Sequence, residues 1–511
     1  MSKNVHNNNK RILHNTLLLY VRMLFIMVVS LYTSRVILNC LGVEDYGIYN
    51  VVGGVVAMMG MLNSAMSSST TRYLTYELGR GDTVKLSQTF SMCLQIYILV
   101  SILFVIVAET IGLWFLNTQL VIPYNRIAAA NWVYQFSIIS VVNQLLLNPY
   151  NASIIAHERM GIYAYVSIID AILRLIIVYL LLIIPFDSLI SYGLMVMIIS
   201  ISVTLIYRIY CIRNFNECHY RYNGDKVLFK QLISYSGWNL FGSVAAFVKG
   251  QGLNILINVF FNPSVNAARG IAFQINTAVY TFINNFYTAV KPQITKYYAQ
   301  GDLFNMQNLV FKSSIFSFYL ILILALPIII ETPQIIKLWL GQLPEYVIPF
   351  VRLIIVISAV DGIASPLMTV AHATGKIALY QGLVGTATIL IIPISYFTLK
   401  MGGSPVSVFV VSLIVAILCL FLRLFIVKRL VNFPFWKYTY KVFLKALFIT
   451  GMSLPLPLYI HVKLDDSFES LCISVFACLL NTLLIIYYVG LEKNEKKYII
   501  ANIKNKIKRK L

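Results

Sequence analysis

Acidic side chains are scarce in this chain: 19 Asp and Glu stand against 40 Lys and Arg, and charged residues fill only 12% of its 511 positions. A soluble globular domain carries about a quarter of its residues charged, so this polar surface is too small to cover a water-soluble core. Cysteine chemistry is equally thin. Cys40, Cys93, Cys211, Cys218, Cys419, Cys472 and Cys478 form no C-x-x-C pair, which counts against a disulfide or zinc framework. The six histidines are scattered, with no H-E-x-x-H, so neither a metal site nor a catalytic cluster is expected. No G-x-x-x-x-G-K-[ST] phosphate loop occurs, and the longest internal loop, about 213–231, cannot house a nucleotide-binding domain. The connections at 39–45, 185–188 and 262–265 are too short for a membrane glycosyltransferase's external loop, so a non-enzyme without cofactor is expected.

What remains is apolar. Hydrophobic residues make up 59% of the chain and the mean hydropathy is +0.79. Runs of about 20 residues, the length that crosses roughly 30 Å of hydrocarbon, recur along it. Fourteen are expected, at 13–38, 46–71, 88–115, 127–156, 160–184, 189–212, 232–261, 266–290, 311–336, 346–374, 378–399, 405–427, 442–461 and 468–491. The polar start Met1 to Arg11 runs straight into the first span, without a signal-peptide cleavage pattern.

Charge sidedness supports an even count. Of the 40 basic residues seven fall inside spans and four, Arg126, Lys337, Lys400 and Lys463, on one side; the other 29 share the side of both termini, which the positive-inside rule makes cytoplasmic. The net charge of +21 then reports orientation and attraction to anionic lipids, with no nucleic acid needed. The tail Tyr498 to Leu511 alternates Ile with Lys and Arg at helical spacing, as a short interfacial helix does.

The chain also reads as built twice. At an offset of 220, Arg72-Tyr-Leu-Thr-Tyr-Glu-Leu-Gly-Arg-Gly-Asp82 overlies Pro292-Gln-Ile-Thr-Lys-Tyr-Tyr-Ala-Gln-Gly-Asp302. At 217, Pro149, Ala156, Arg159, Tyr163 and Tyr179 fall on Pro366, Ala373, Lys376, Tyr380 and Tyr396. Two parallel six-helix halves follow, with two further helices after them. The expected divisions are a cytoplasmic tail at 1–12, one lobe at 13–215, a linker at 216–231, a second lobe at 232–431, spans 13 and 14 at 432–491, and a basic tail at 492–511.

Ser34-Arg35-Val-Ile-Leu-Asn-Cys-Leu-Gly-Val-Glu-Asp-Tyr-Gly-Ile-Tyr49, the small-residue helix through Gly53, Gly54, Gly60 and Ser67 to Ser69, and Arg72 resemble the first two helices of bacterial polysaccharide transporters. The turns Ala156-His-Glu-Arg-Met-Gly-Ile-Tyr163 and Ala371-His-Ala-Thr-Gly-Lys376 resemble them too. These are the O-antigen flippases of the MATE-like multidrug/oligosaccharidyl-lipid/polysaccharide superfamily. The resemblance implies an all-α polytopic membrane protein, a V-shaped pair of lobes around a cavity lined by helices including 1, 2, 7 and 8, and alternating access. It implies a flippase of undecaprenyl-diphosphate-linked oligosaccharide for O-antigen, lipopolysaccharide or capsule synthesis in the bacterial inner membrane, with polymerase and chain-length machinery as further partners. A cation-coupled multidrug exporter and a non-transporting scaffold are the alternatives.

Cations inside spans are the candidate binding residues, because a charge in hydrocarbon costs roughly 3 kcal/mol even on lenient scales. Arg22 lies about 13 Å into span 1 and Lys249 near the middle of span 7. Each either meets a buried partner on another helix or faces a wet cavity that binds a diphosphate, for which Arg has bidentate geometry. Gly250-Gln251-Gly252 beside Lys249 reads as a helix break or as close packing. Arg269 and Arg35 sit near the outer mouth, as interface anchors or cavity cations, whereas Arg352 and Arg423 are expected to snorkel. Asp170 and Arg174, four apart, form a self-neutralising pair. Asp361, with no local partner, is the candidate proton or sodium site.

Overall fold

The computed structural model describes residues 2–57, 60–118, 122–181, 183, 185–261, 263–341, 343–465, 467–493, 495 and 496. The side chain of Arg35 and the basic tail from 497 lie outside the described residues. Among the described residues every long element is a helix, as a bilayer requires of backbone that must satisfy its own hydrogen bonds. In chain order they are α1 (Ser2–Ala57), α2 (Gly60–Arg80), α3 (Thr83–Thr118), α4 (Ile127–Ala156), α5 (Met160–Leu181), α6 (Ser188–Asn214), α7 (Lys226–Phe260) and α8 (Pro263–Ala299). There follow α9 (Leu303–Ile330), α10 (Thr332–Leu340), α11 (Val347–Ala373), α12 (Ala378–Lys400), α13 (Pro405–Val431), α14 (Phe435–Lys463) and α15 (Phe468–Gly490).

Among the described residues, ten of these are long and apolar enough to span a membrane: α3, α5, α6, α7, α9, α11, α12, α13, α14 and α15. The chain is therefore a multi-pass membrane protein. The expected spans 13–38, 127–156 and 266–290 are helical as well, as is 46–71 at its described residues; within the first, Asn15–Ser30 is an apolar helix, and α7 is the least apolar of the ten. Polar residues mark two of the helices. Ser67, Ser68, Ser69, Thr70, Thr71 and Arg72 crowd α2, while α8 carries Asn266, Arg269, Asn276, Asn284 and Asn285.

Two compact units divide the chain. Unit 1 is Met1–Val244 with Ala289–Asp302, and unit 2 is Ala245–Thr288 with Leu303–Leu511. In unit 1, α4 packs mainly along α6 and α1 along α5; Phe104, Val133, Tyr134 and Leu189 close part of its core. In unit 2, α11 lies against α9 and α13, and α15 docks on α9. Tyr319 donates to the Gly490 carbonyl at 2.9 Å and Lys445 to the same oxygen at 2.5 Å, which ties the last two helices down.

The repeated turns share backbone geometry. Gly42, at φ +75, divides α1 in two. Gly81 and Gly301, 220 residues apart, both end their helices in the left-handed region, at φ +73 and +74. Pro149 and Pro366 both sit inside helices, where the missing N–H frees the carbonyls of Leu145 and Gly362. Of the two readings at Gly250-Gln251-Gly252, a helix break or close packing, the break is absent: α7 runs through unbroken. Close packing is the reason, since a Cβ on Gly252 would stand 2.5 Å from Ile392 Cδ1.

Candidate functional site

Two cations, Lys249 of α7 and Arg269 of α8, form the candidate site in unit 2. Arg269 is 8% exposed, one turn and a half into α8. Its Nη1 donates to Asn254 Oδ1 at 3.1 Å and its Nη2 to the Gly250 carbonyl at 2.7 Å, while the guanidinium lies 4.3 Å from the Phe273 ring centre. The Gly250 oxygen already serves the α7 ladder, and its second lone pair takes the arginine. Nε has no partner, and among the described residues no carboxylate lies within ion-pair distance. Both aligned acceptors are neutral, so the positive charge stays uncompensated.

Lys249 precedes that carbonyl on α7. It is half-buried and makes no hydrogen bond or ion pair among the described residues. The sequence placed Arg269 between interface anchor and cavity cation; burial and the two α7 acceptors rule out a simple anchor. Arg269 and Lys249 thus draw on one stretch of α7, Lys249 to Asn254.

Asp361 and Arg423 differ from expectation. Arg423 does not reach for the interface: its side chain is 15% exposed and its Nη1 lies 3.3 Å from Asp361 Oδ1. Asp361, 36% exposed, therefore has a partner after all, two helices further along the chain. Spacing on one helix could not show a pair between α11 and α13. Arg352 is exposed and its Nε donates to the Ile329 carbonyl at 2.9 Å, capping the last turn of α9.

In unit 1, Arg22 is half-buried, its Nη2 3.4 Å from Tyr163 Oη and its guanidinium 4.4 Å from the centre of that ring. Its Nε is buried without a partner and no carboxylate stands within ion-pair distance among the described residues. Asp170 and Arg174 pair at 3.1 Å on the exposed side of α5. Arg22 and Arg269 thus share a pattern, a cation held by neutral groups and a ring face.

Several polar groups escaped the sequence reading. Lys291, half-buried near the end of α8, donates to Ser68 Oγ of α2 at 3.3 Å. Arg72, buried on α2, lies over the rings of Tyr73, Tyr76 and Tyr235 at 4.5, 4.8 and 5.7 Å. Glu158, at φ +59, accepts from Gln293 Nε2 at 2.5 Å and Lys296 Nζ at 2.6 Å. Glu331 takes His461 Nδ1 at 3.0 Å and the Ser474 hydroxyl. One signal for Glu158 was available: at offset 217 it falls on Gly375. At the opposite end of unit 1 from Glu158's turn along α4, Arg126 pairs with Asp45 and with Asp187, the latter at 2.5 Å.

No protein-family model matches the chain, and no curated relative matches it by sequence. Solved structures do. An outward-facing multidrug resistance MATE family transporter of the MOP superfamily superposes with a TM-score of 0.71 at 12% identity, over 83% of this chain and 96% of that one. A MATE structure in the bent conformation gives 0.71 at 11% identity over the same shares. The Vibrio cholerae MATE transporter VcmN in its bent form gives 0.66 at 14%, over 86% of this chain and 99% of that one. The described helices, from polar α1 and α2 through the repeated turns, therefore carry the fold of the MATE transporters of the MOP superfamily.

Proposed function

We propose that this protein is a secondary transporter that moves an anionic lipid-linked oligosaccharide, of the undecaprenyl-diphosphate class, from the cytoplasmic to the outer leaflet of a bacterial inner membrane. The observation that carries this reading is Arg269, a buried guanidinium with neutral partners and no carboxylate among the described residues. A cation held this way is oriented but uncompensated, and a diphosphate supplies the missing charge through charge-assisted hydrogen bonds. Lys249 on α7 adds a second cation, and Arg22 on α1 repeats the arrangement in the other unit.

The distribution of polarity points the same way. Helices 1, 2, 7 and 8, which the family resemblance assigns to the cavity, are α1, α2, α7 and α8. Of these, α2 and α8 fall short of the hydropathy of a membrane span, and α7 is the least apolar of the ten that reach it. Lipid contact selects against such helices, whereas a water-filled path with a sugar in it tolerates them. Asp361, already neutralised by Arg423, is a poor seat for a coupling ion.

Replacing Arg269 with Ala should abolish surface polysaccharide at unchanged protein level, and Lys should restore only part of it because the fork geometry is lost. Full polymer in R269A overturns the assignment. The second reading, a multidrug exporter, is favoured by the likeness to a multidrug resistance MATE family transporter. It predicts a deletion strain with altered drug susceptibility and normal polysaccharide.

A further inference from the structure

The turn between α4 and α5 places a carboxylate where both a side chain and a charge are unfavourable. Glu158 adopts φ +59, the left-handed region that suits glycine, and its side chain is 1% exposed. At the repeat offset of 217 the matching turn has Gly375, at φ +77, which meets the same backbone demand without strain. The fold can therefore make this turn with glycine, and the carboxylate in the first half serves something other than the turn.

What it holds is the last stretch of α8. Glu158 Oε1 accepts from Lys296 Nζ at 2.6 Å, Oε2 from Gln293 Nε2 at 2.5 Å, and the Glu158 carbonyl from Asn15 Nδ2 of α1 at 3.2 Å. Nearby, a Cβ on Gly79 of α2 would lie 2.9 Å from Ala299 Cβ and 3.1 Å from Lys296 Cα, so the absence of a side chain admits α8 to close contact. This stretch, Ala289–Asp302, packs in unit 1, whereas α8 up to Thr288 belongs to unit 2. There it is held to α11: Ser358 donates to Asn276 Oδ1 at 2.7 Å, and Tyr287 bonds Ser365 and Thr369. One continuous helix is thus committed to different units at its two ends.

We infer that Glu158 is a releasable latch, which fixes the end of α8 to unit 1 in one transport state and lets it go in the other. The inference rests on the transporter reading above. A buried ion pair suits this use because both charges regain hydration when it opens, so the closed and open states lie close in free energy, while a half-made pair is disfavoured.

Hydrogen exchange on the purified full-length protein tests it. E158Q should speed exchange in 289–302 on the order of tenfold or more, the loss of a charged hydrogen bond. Because opening one end of an alternating-access protein closes the other, 263–272 should slow in the same sample. E158G, with the backbone freedom of Gly375, should behave likewise and guards against a folding failure, and the charge swap E158K/K296E should restore both segments. Unchanged exchange at 289–302 overturns the latch, and so does faster exchange there with 263–272 unaltered, which is local packing alone. Failure of wild-type vesicles to translocate a lipid-linked diphosphate, with the exchange response intact, removes the substrate reading and leaves the latch standing.

Discussion

Arg269, buried, and Arg423, half-buried, both lie in unit 2, and they differ in what stands opposite. Arg423 has Asp361, so its charge is spent on structure; Arg269 has Asn254 and a backbone carbonyl, so its charge is available. D361N should lower the stability of the detergent-solubilised protein by about 1–3 kcal/mol, below the roughly 3–5 of a fully buried pair because Asp361 is partly solvated. D361N combined with R423M should recover most of that loss in a thermal melt, since no buried charge is then left alone. Asp187, in the loop between α5 and α6, behaves differently. Burial raises its carboxyl pKa, but the Arg126 hydrogen bond and the Leu189 and Ile190 amides outweigh burial and hold it below the ordinary value. Its contribution is whole above the unfolded carboxyl range and is lost as pH falls through the lower folded value. Melting temperature should therefore drop below about pH 4, with a smaller drop in D187N. Residue depth and local spacing made Arg22, Lys249, Arg269 and the Asp170–Arg174 pair legible in sequence. They could not separate Arg269 from Arg423, because that distinction lies in side chains brought by other helices.

Among elements, α8 carries the most. It brings Arg269 to α7 in unit 2 and Lys296 to Glu158 in unit 1, and its end lies so near α2 that Gly79 has no room for a side chain. The atoms opposite Gly79 include backbone, which cannot swing aside, so G79L should cost about 1–3 kcal/mol of stability, read from the melt. G237L, at a glycine with open space around it, should cost much less. The helix-internal prolines were readable because Pro149 and Pro366 recur at the offset of 217, and the helix ends because Gly81 and Gly301 recur at 220. The continuity of α7 through Gly250-Gln251-Gly252 was not, since a glycine that frees backbone and one that admits a neighbour look alike until Ile392 is in place.

For the whole molecule, the fold was legible in the sequence, whereas the cargo is a matter of side-chain chemistry. Apolar run length and charge sidedness fix a polytopic helical chain, and the solved structures agree on its fold at 11–14% identity. A fold hosts many cargoes, so the substrate has to be argued from Arg269, Lys249 and Arg22. The direct measurement is translocation in vesicles holding only this protein and a defined undecaprenyl-diphosphate oligosaccharide, scored by how much glycan becomes accessible to an enzyme on the far side. Wild type should translocate the glycan, R269A almost none of it, and R269K at a partial rate. Equal rates for wild type and R269A, or no wild-type translocation alongside efflux of cationic drugs by the same vesicles, would contradict the flippase reading.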